Sequence, residues 1–225
     1  MPRLDVWLVK NGYFSSRQIA KRVIRNGFVT INGKPAKPSS IVRRKDSIKV
    51  LDNFLNHPVG YDKLKQLESF IKTPLVLENF LVLDIGSSAG GFLQYIADRG
   101  AAVIGIEFSN EFEAELNNIV KQYPNISVVI GDAFTIETSI ICEESELDLL
   151  LVDVTTDVEG TLKLIKRFST LLKNGGRLIA AIKSQPDSSI MNEMQMQVKD
   201  LGFIHINEIV LNESLQEFHI IAVRA

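Results

Sequence analysis

The sequence predicts an α/β protein: an open, mostly parallel seven-stranded sheet with helices on both faces, and a small basic α+β module at the N-terminus. Three observations predict it. From residue 81 onward, short apolar runs alternate with helical stretches, the pattern of repeated β-α-β units. The tail, "GFIHINEIVL" and then "LQEFHIIAVRA", reads as two strands with no helix between them. Charge is also split. Residues 1–50 hold twelve Lys and Arg against two Asp, a net of +10, whereas the remaining 175 residues carry −12. So sharp an asymmetry points to two units with different partners.

Composition sets the bounds. At 225 residues, 45% of them hydrophobic, the chain can form one medium domain and a small one. Cys142 is the single cysteine, so no internal disulfide forms and a reducing cytoplasm is the expected home. The opening "MPRLDVWLVKNGYF" is charged from its third residue and lacks an apolar signal core. No uninterrupted apolar run approaches ~20 residues, so no membrane-spanning helix is expected. Nor is a membrane-active role, since no strongly amphipathic basic helix lies outside the N-terminal module. Three scattered histidines and one cysteine suggest no metal cluster.

In the N-terminal module, "RLDVWLVKNG" places Leu4, Val6, Leu8 and Val9 among polar residues, with Asp5 near a helix start and Gly12 as a stop. "SSRQIAKRVIRNG" opens on Ser15 or Ser16 as N-cap and closes at Asn26-Gly27. Ile19, Ala20, Val23 and Ile24 form one apolar stripe; Arg17, Lys21 and Arg25 recur at four-residue intervals on a shared face. "FVTINGKPA" is a strand, an Asn-Gly turn and departing chain, and "DSIKVL" is a second strand. A basic surface of this density suits a polyanion.

The succession R-L-D-x-x-L, S-R-x-x-A-x-x-x-I, G-x-V-x-I-N-G and S-I-x-V resembles the S-four RNA-binding domain across nearly all of residues 2–50. The resemblance implies RNA contacts from Arg3, Ser16, Arg17, Lys21, Arg22 and Arg25, with Lys34 and Lys37 beside them. Contacts of this kind position an RNA and carry little sequence information.

"LDNFLNHPVG", residues 51–60, breaks both patterns and contains Pro58 and Gly60. The expected organisation is a module over 1–52, a linker over 53–62 and a larger domain over 63–225. In the larger domain, apolar runs at 81–85, 102–106, 126–130, 147–152 and 177–182 read as strands. Helices are expected near 91–99, 111–122, 158–173 and 187–201. Ligands of such sheets sit beyond the carboxyl ends of the strands, so those ends carry the candidate site. "LVLDIGSSAGGF" gives Asp84-x-Gly86-x-x-x-Gly90-Gly91 directly after the first strand and opening a helix. Glycines there admit a ligand close to the backbone, and the helix N-terminus offers free N–H groups. The second strand ends in Glu107 and the third leads into Asp132.

The D-x-G-x-x-x-G spacing resembles the S-adenosylmethionine motif more than the G-x-G-x-x-G of NAD enzymes. Five parallel strands with a closing hairpin are similar to the class I, Rossmann-like methyltransferases. That resemblance implies S-adenosylmethionine as cofactor, held by Asp84, Gly86, Ser88, Gly90, Gly91, Phe92, Glu107, Asp132, Ala133 and Asp153. Glu107 would accept the ribose hydroxyls and Asp132 would meet the adenine amino group.

"LDLLLVDVT" delivers Asp153 to the same edge, and "LIAAIKSQP" runs five apolar residues straight into Lys183. Such a strand tolerates a lysine poorly unless the ammonium finds water or a partner. Glu217 begins the last strand, which antiparallel pairing returns to this edge. "GYDKLKQLESF" puts Lys63 on a helix before the first strand. Lys63, Asp153, Lys183 and Glu217, in this order and context, are similar to the catalytic tetrad of the FtsJ family of RNA ribose 2'-O-methyltransferases. The resemblance implies that Lys183 accepts the hydroxyl proton, that Asp153 and Glu217 orient it, and that Lys63 holds the ribose or phosphate. Burial and a second cation favour a neutral lysine and the carboxylates oppose it, which leaves the sign of the shift open.

An S-four module before an FtsJ-like domain is also the order in the TlyA family, ribosomal RNA 2'-O-methyltransferases sometimes labelled hemolysins. "LQEFHIIAV" resembles that family's ending. Two departures stand out. "HPVGYDK" replaces the family's usual Ser-Arg-Gly-Gly run, which leaves Lys65 as an alternative first lysine, and Ala89 stands where FtsJ proteins have proline. The expected function is 2'-O-methylation of RNA, ribosomal RNA foremost. The competing reading is an RNA-binding protein whose methyltransferase fold is inactive. A base methylase would carry a D/N-P-P-Y type motif after the fourth strand, where "DVTTD" stands.

Overall fold

The computed structural model describes every residue except 15, 26, 51–57 and 212–215. Ser15, Asn26 and residues 53–57 of the expected linker therefore lie outside the described residues. The chain forms two compact units, Met1–Val59 and Gly60–Ala225.

The first unit contains α1 (Leu4–Lys10), α2 (Arg17–Arg25), β1 (Val29–Ile31), β2 (Lys34–Pro35) and β3 (Ile48–Val50). Its core joins Leu4 and Leu8 of α1 to Ala20, Val23 and Ile24 of α2, over Val29 and Val50 of the sheet. Ser16 caps α2, its Oγ accepting from the Ile19 amide at 3.2 Å. Asn32 and Gly33 both take positive φ, 54° and 77°, as a two-residue hairpin turn requires. The turn returns Lys34–Pro35 to β1 as β2, where departing chain was expected. The pairing is two residues long, too short to leave an alternation in the sequence. β3 pairs antiparallel on the other side of β1.

α3 (Val59–Ile71) starts at the boundary and leads into the second unit, so residues 59–62 of the expected linker are its first turn. There follow β4 (Leu81–Ile85), α4 (Gly91–Ala97), β5 (Ala102–Glu107), α5 (Glu113–Gln122) and β6 (Ile126–Ile130). Next come β7 (Leu147–Val152), α6 (Val158–Phe168), β8 (Leu172–Ile182), α7 (Ser188–Asp200), β9 (Phe203–Ile209) and β10 (Phe218–Arg224). The helix expected to reach residue 173 stops at Phe168, and β8 starts earlier than its apolar run. Lys173-Asn-Gly-Gly explains both: Gly175 takes φ 78°, and the β7–β8 register shifts as the segment bulges.

Sheet order is β6-β5-β4-β7-β8-β10-β9; the first five strands are parallel, and β10 runs antiparallel between β8 and β9. The inner parallel strands are buried on both faces, so their sequences are apolar runs rather than alternations. One face packs Leu83, Ile85 and Leu150 against Leu164 and Phe168 of α6 and Met194 of α7. The other packs Val82, Leu149 and Leu151 with Leu64 and Leu67 of α3, Leu93 of α4 and Leu116 of α5. Full burial of each such Leu or Phe contributes roughly 1.5–3 kcal/mol. The strand order reverses between β4 and β7, which opens a crevice beyond their carboxyl ends. Among the described residues, no helix is long and apolar enough to cross a membrane.

Candidate functional site

Four charged side chains from four separate segments converge at this edge. Leu64 and Leu67, both fully buried, press α3 onto the sheet and leave Lys63 facing the strand ends. Asp153 directly follows β7 and Lys183 directly follows β8. Phe218 pairs with Ile182, which sets Glu217 beside Lys183. Lys63 Nζ donates to Asp153 Oδ2 at 2.7 Å and lies 2.7 Å from Glu217 Oε1. Lys183 Nζ donates to Asp153 Oδ1 at 2.5 Å and to Glu217 Oε2. Each lysine thus touches both carboxylates in a closed, neutral ring. Lys65 is exposed and outside it.

The ring decides the protonation states. Burial works against charge on Lys183, but Asp153 and Glu217 outweigh it and hold the ammonium above the usual lysine range. Burial likewise opposes ionisation of Asp153, and Lys63 with Lys183 reverses the balance to hold it well below the carboxylate range. Glu217 is also lowered: burial and Asp153 oppose its charge, and the two ammoniums prevail. His219 is a neighbour that sequence reading missed. It is 2% exposed, its Nε2 lies 3.3 Å from Glu217 Oε1, and burial, followed by the Lys63 charge, pushes it down to about 4. Its one signal was a polar residue inside the apolar run "FHIIAV".

The glycine loop lies beside the ring. Gly86 and Gly90 adopt φ of 93° and 77°, and a Cβ on Gly86 would stand 2.4 Å from the Asp153 carbonyl oxygen. Asp84 is fully buried on β4, and both its carboxylate oxygens lack a hydrogen-bond partner. Burial pushes it up to about 7; the Ser87 hydroxyl opposes the rise, and the smaller effects of the Asp153 and Glu107 charges add to it. Glu107 ends β5 as expected, and its carboxylate is held by two backbone amides, one from the glycine loop and one from the chain just after β5. Oε2 accepts from the Ser88 amide at 2.6 Å and Oε1 from the Ser109 amide at 2.8 Å. Asp132 follows β6 and accepts from the Phe134 amide at 2.9 Å, next to buried Ala133. Gly91 and Phe92, which open α4, are buried. Among the described residues, no group of three or more His, Cys, Asp or Glu is placed to hold a metal ion.

The basic residues of the first unit divide into two sets. Arg3 and Arg17 both reach buried Asp5: Arg3 Nε donates to Oδ1 at 3.1 Å and Arg17 donates to Oδ2 at 2.9 Å. Burial opposes the Asp5 charge, but Arg17 and Arg3 hold its carboxyl below the usual range. Both arginines keep about half their side-chain surface, 47% and 53%. Lys21 and Arg22 are half-buried, and Arg25, Lys34 and Lys37 are exposed. The Ser16 hydroxyl already serves as the α2 cap.

Comparison with known proteins gives this geometry a family. Residues 2–48 match the S4 domain, and residues 60–205, more than half the chain, match the FtsJ-like methyltransferase family. The chain belongs to the FtsJ-like methyltransferase family. It is 33% identical over 100 residues to Hemolysin A of Brachyspira hyodysenteriae, a match covering 44% of this chain and 41% of that protein. It is 34% identical over 101 residues to the 16S/23S rRNA (cytidine-2'-O)-methyltransferase TlyA of Mycobacterium tuberculosis, covering 44% and 38%. The match thus spans less than half the length of either relative. Among solved structures, one named as a hemolysin from Streptococcus thermophilus aligns with 100% of this FtsJ-like chain and 88% of its own (TM-score 0.65, 22% identity). Aeropyrum pernix fibrillarin aligns over 72% and 74% (TM-score 0.62, 23% identity). With the sheet order above, these neighbours establish the class I methyltransferase fold for the larger unit.

Proposed function

We propose that this FtsJ-like protein transfers methyl groups from S-adenosylmethionine to ribose 2'-hydroxyls of RNA, ribosomal RNA in particular, with the RNA docked on the basic N-terminal unit. The observation that carries the reading is the closed Lys63–Asp153–Lys183–Glu217 ring beside the glycine loop. The family supports it, as does the 2'-O-methyltransferase name of the TlyA relative.

The residues present fit S-adenosylmethionine. The unpartnered, buried carboxylate of Asp84 suits a ligand cation, and the positive-φ glycines leave room for close backbone approach. Asp84 would hold the ammonium end, Gly86, Ser88, Gly90 and Gly91 the neighbouring groups, and Glu107 the ribose through its remaining lone pairs. Phe92, Asp132 and Ala133 would complete the adenine side. When bound, the group supplies a methyl on a sulfonium sulfur, an electrophile that needs no metal.

The ring supplies the rest. Transfer of that methyl to the ribose 2'-oxygen would leave the hydroxyl proton to be taken up by the protein. Lys183 is the acceptor in this reading, oriented by Asp153 and Glu217. The carboxylates hold it as an ammonium at rest, so it must first release a proton to water. A cationic ligand beside it favours that release. Lys63 holds the ribose or its phosphate, and alignment of oxygen, methyl and sulfur supplies much of the acceleration. The rate should therefore rise with pH across the neutral range.

The test is transfer of labelled methyl from S-adenosylmethionine to total RNA and ribosomal subunits, followed by alkaline hydrolysis. Label in alkali-resistant dinucleotides supports the proposal. Label in ordinary nucleotides means base methylation and overturns it. Cofactor binding without transfer to any RNA returns the inactive, RNA-binding reading.

A further inference from the structure

Gly60 and Lys63 lie three residues apart on α3 and share a face with buried Leu64 and Leu67. Opposite Gly60 stands Gly91, the first residue of α4. A Cβ on Gly91 would lie 2.7 Å from the Tyr61 amide nitrogen and 2.8 Å from that of Gly60. A Cβ on Gly60 would lie 2.9 Å from Phe92 Cδ1 and 3.1 Å from the Phe92 nitrogen. Ordinary contact begins at 3.4 Å, so a side chain at either position forces the helices apart. Neither glycine has a positive φ. Closeness, not torsion, accounts for both.

The rest of α3 is clamped to α4 and the chain just beyond it. Tyr61 donates to Asp98 at 3.0 Å, and its ring meets Tyr95 edge-on with centroids 5.2 Å apart. The Tyr95 hydroxyl donates to Glu68 at 2.6 Å, and Arg99 lies over the Tyr95 ring at 3.4 Å. Held so, α3 has one depth at which Lys63 meets both Asp153 and Glu217 at 2.7 Å. We infer that Gly60 is a positioning residue for Lys63: its glycine-to-glycine contact with Gly91 sets how far the lysine-bearing helix sinks toward the charge ring. The inference rests on the function proposed above, and it ties the first lysine of the ring mechanically to the glycine loop.

The test is Gly60→Ala in the full chain, with three readouts: the S-adenosylmethionine dissociation constant by calorimetry, kcat for RNA methylation, and the Lys63 and Lys183 ammonium signals by NMR. Misplacing an acting group by a fraction of an ångström to an ångström lowers kcat by about tenfold or more. Cofactor affinity should stay within about threefold, a change below 1 kcal/mol. The Lys63 signal should move, and that of Lys183 should move less, through the two carboxylates they share. An unmoved Lys63 signal with unchanged kcat overturns the inference. Cofactor affinity falling in step with kcat also overturns it, because the contact would then serve the loop alone. If Gly60→Ala fails to fold, Tyr61→Phe removes the bond to Asp98 without adding volume. A smaller kcat loss at constant affinity is then expected, and no loss overturns the inference. A wild type that transfers no methyl overturns the proposed function instead, and the Lys63 signal still decides this one.

Discussion

Asp84 and Asp153 stand at the ends of neighbouring strands, β4 and β7, and both are largely withdrawn from water. Their charges nevertheless meet opposite fates. Burial pushes Asp84 up to about 7 because no cation beside its carboxylate offsets the penalty. The same penalty acts on Asp153, and two ammoniums overturn it. Burial thus fixes only the size of what must be compensated; partners fix the outcome. One sheet edge therefore holds a closed ring, complete in itself, and an open acceptor that a ligand cation would complete.

Breaking the closed half should have the largest effect. Lys183→Ala leaves Asp153 and Glu217 sharing a single ammonium, so methyl transfer should fall by about a hundredfold or more. Stability at pH 7 should fall by roughly 3 kcal/mol, the scale for breaking a buried pair. The lowered carboxylates contribute stability above their unfolded values near 4, and it is lost as pH falls through their folded ones. The gap between wild type and variant in urea denaturation should therefore close toward acid pH.

Opening the other half further should do less. Asp84 has a raised folded pKa, so as pH climbs from about 4 to about 7 the unfolded chain ionises first. Stability then drops by about 1.4 kcal/mol per pH unit at most. Asp84→Asn escapes that loss and should melt higher than wild type at pH 8 without ligand. It should bind S-adenosylmethionine about tenfold more weakly, the scale of one charge-assisted contact. Calorimetry from pH 6 to 8 should show affinity rising for wild type and flat for the variant.

The smallest effect belongs to the N-terminal unit, whose Asp5 resembles Asp153 in being compensated by two cations. Arg17→Ala should lower the slope of log affinity for RNA against log salt by about one. A slope unchanged from wild type would mean that Arg17 serves Asp5 alone.

Much of this architecture was legible because parallel strands buried on both faces read as apolar runs. A polar residue that ends such a run, as at Asp84, Asp153 and Lys183, marks the edge where the proposed site lies. The sign of the Lys183 shift was not legible, since it depends on side chains from four segments between residues 63 and 217. Nor was the buried contact of His219 with Glu217, which needs the register of β10. The early start of β8 hid behind Asn174-Gly175-Gly176, whose bulge looks like a loop. Gly60 read as a linker residue, because close approach of two helices leaves no periodic trace.

The central claim, that neighbouring aspartates are held in opposite states for different tasks, is tested most directly by carbon-13 NMR titration of the carboxyl groups with and without S-adenosylmethionine. Asp84→Asn and Asp153→Asn supply the assignments. The account predicts one carboxyl titrating near pH 7 that is drawn down when the ligand binds, and a second that does not titrate above pH 4. Asp84 titrating near 4 in the free protein, unmoved by ligand, would contradict it.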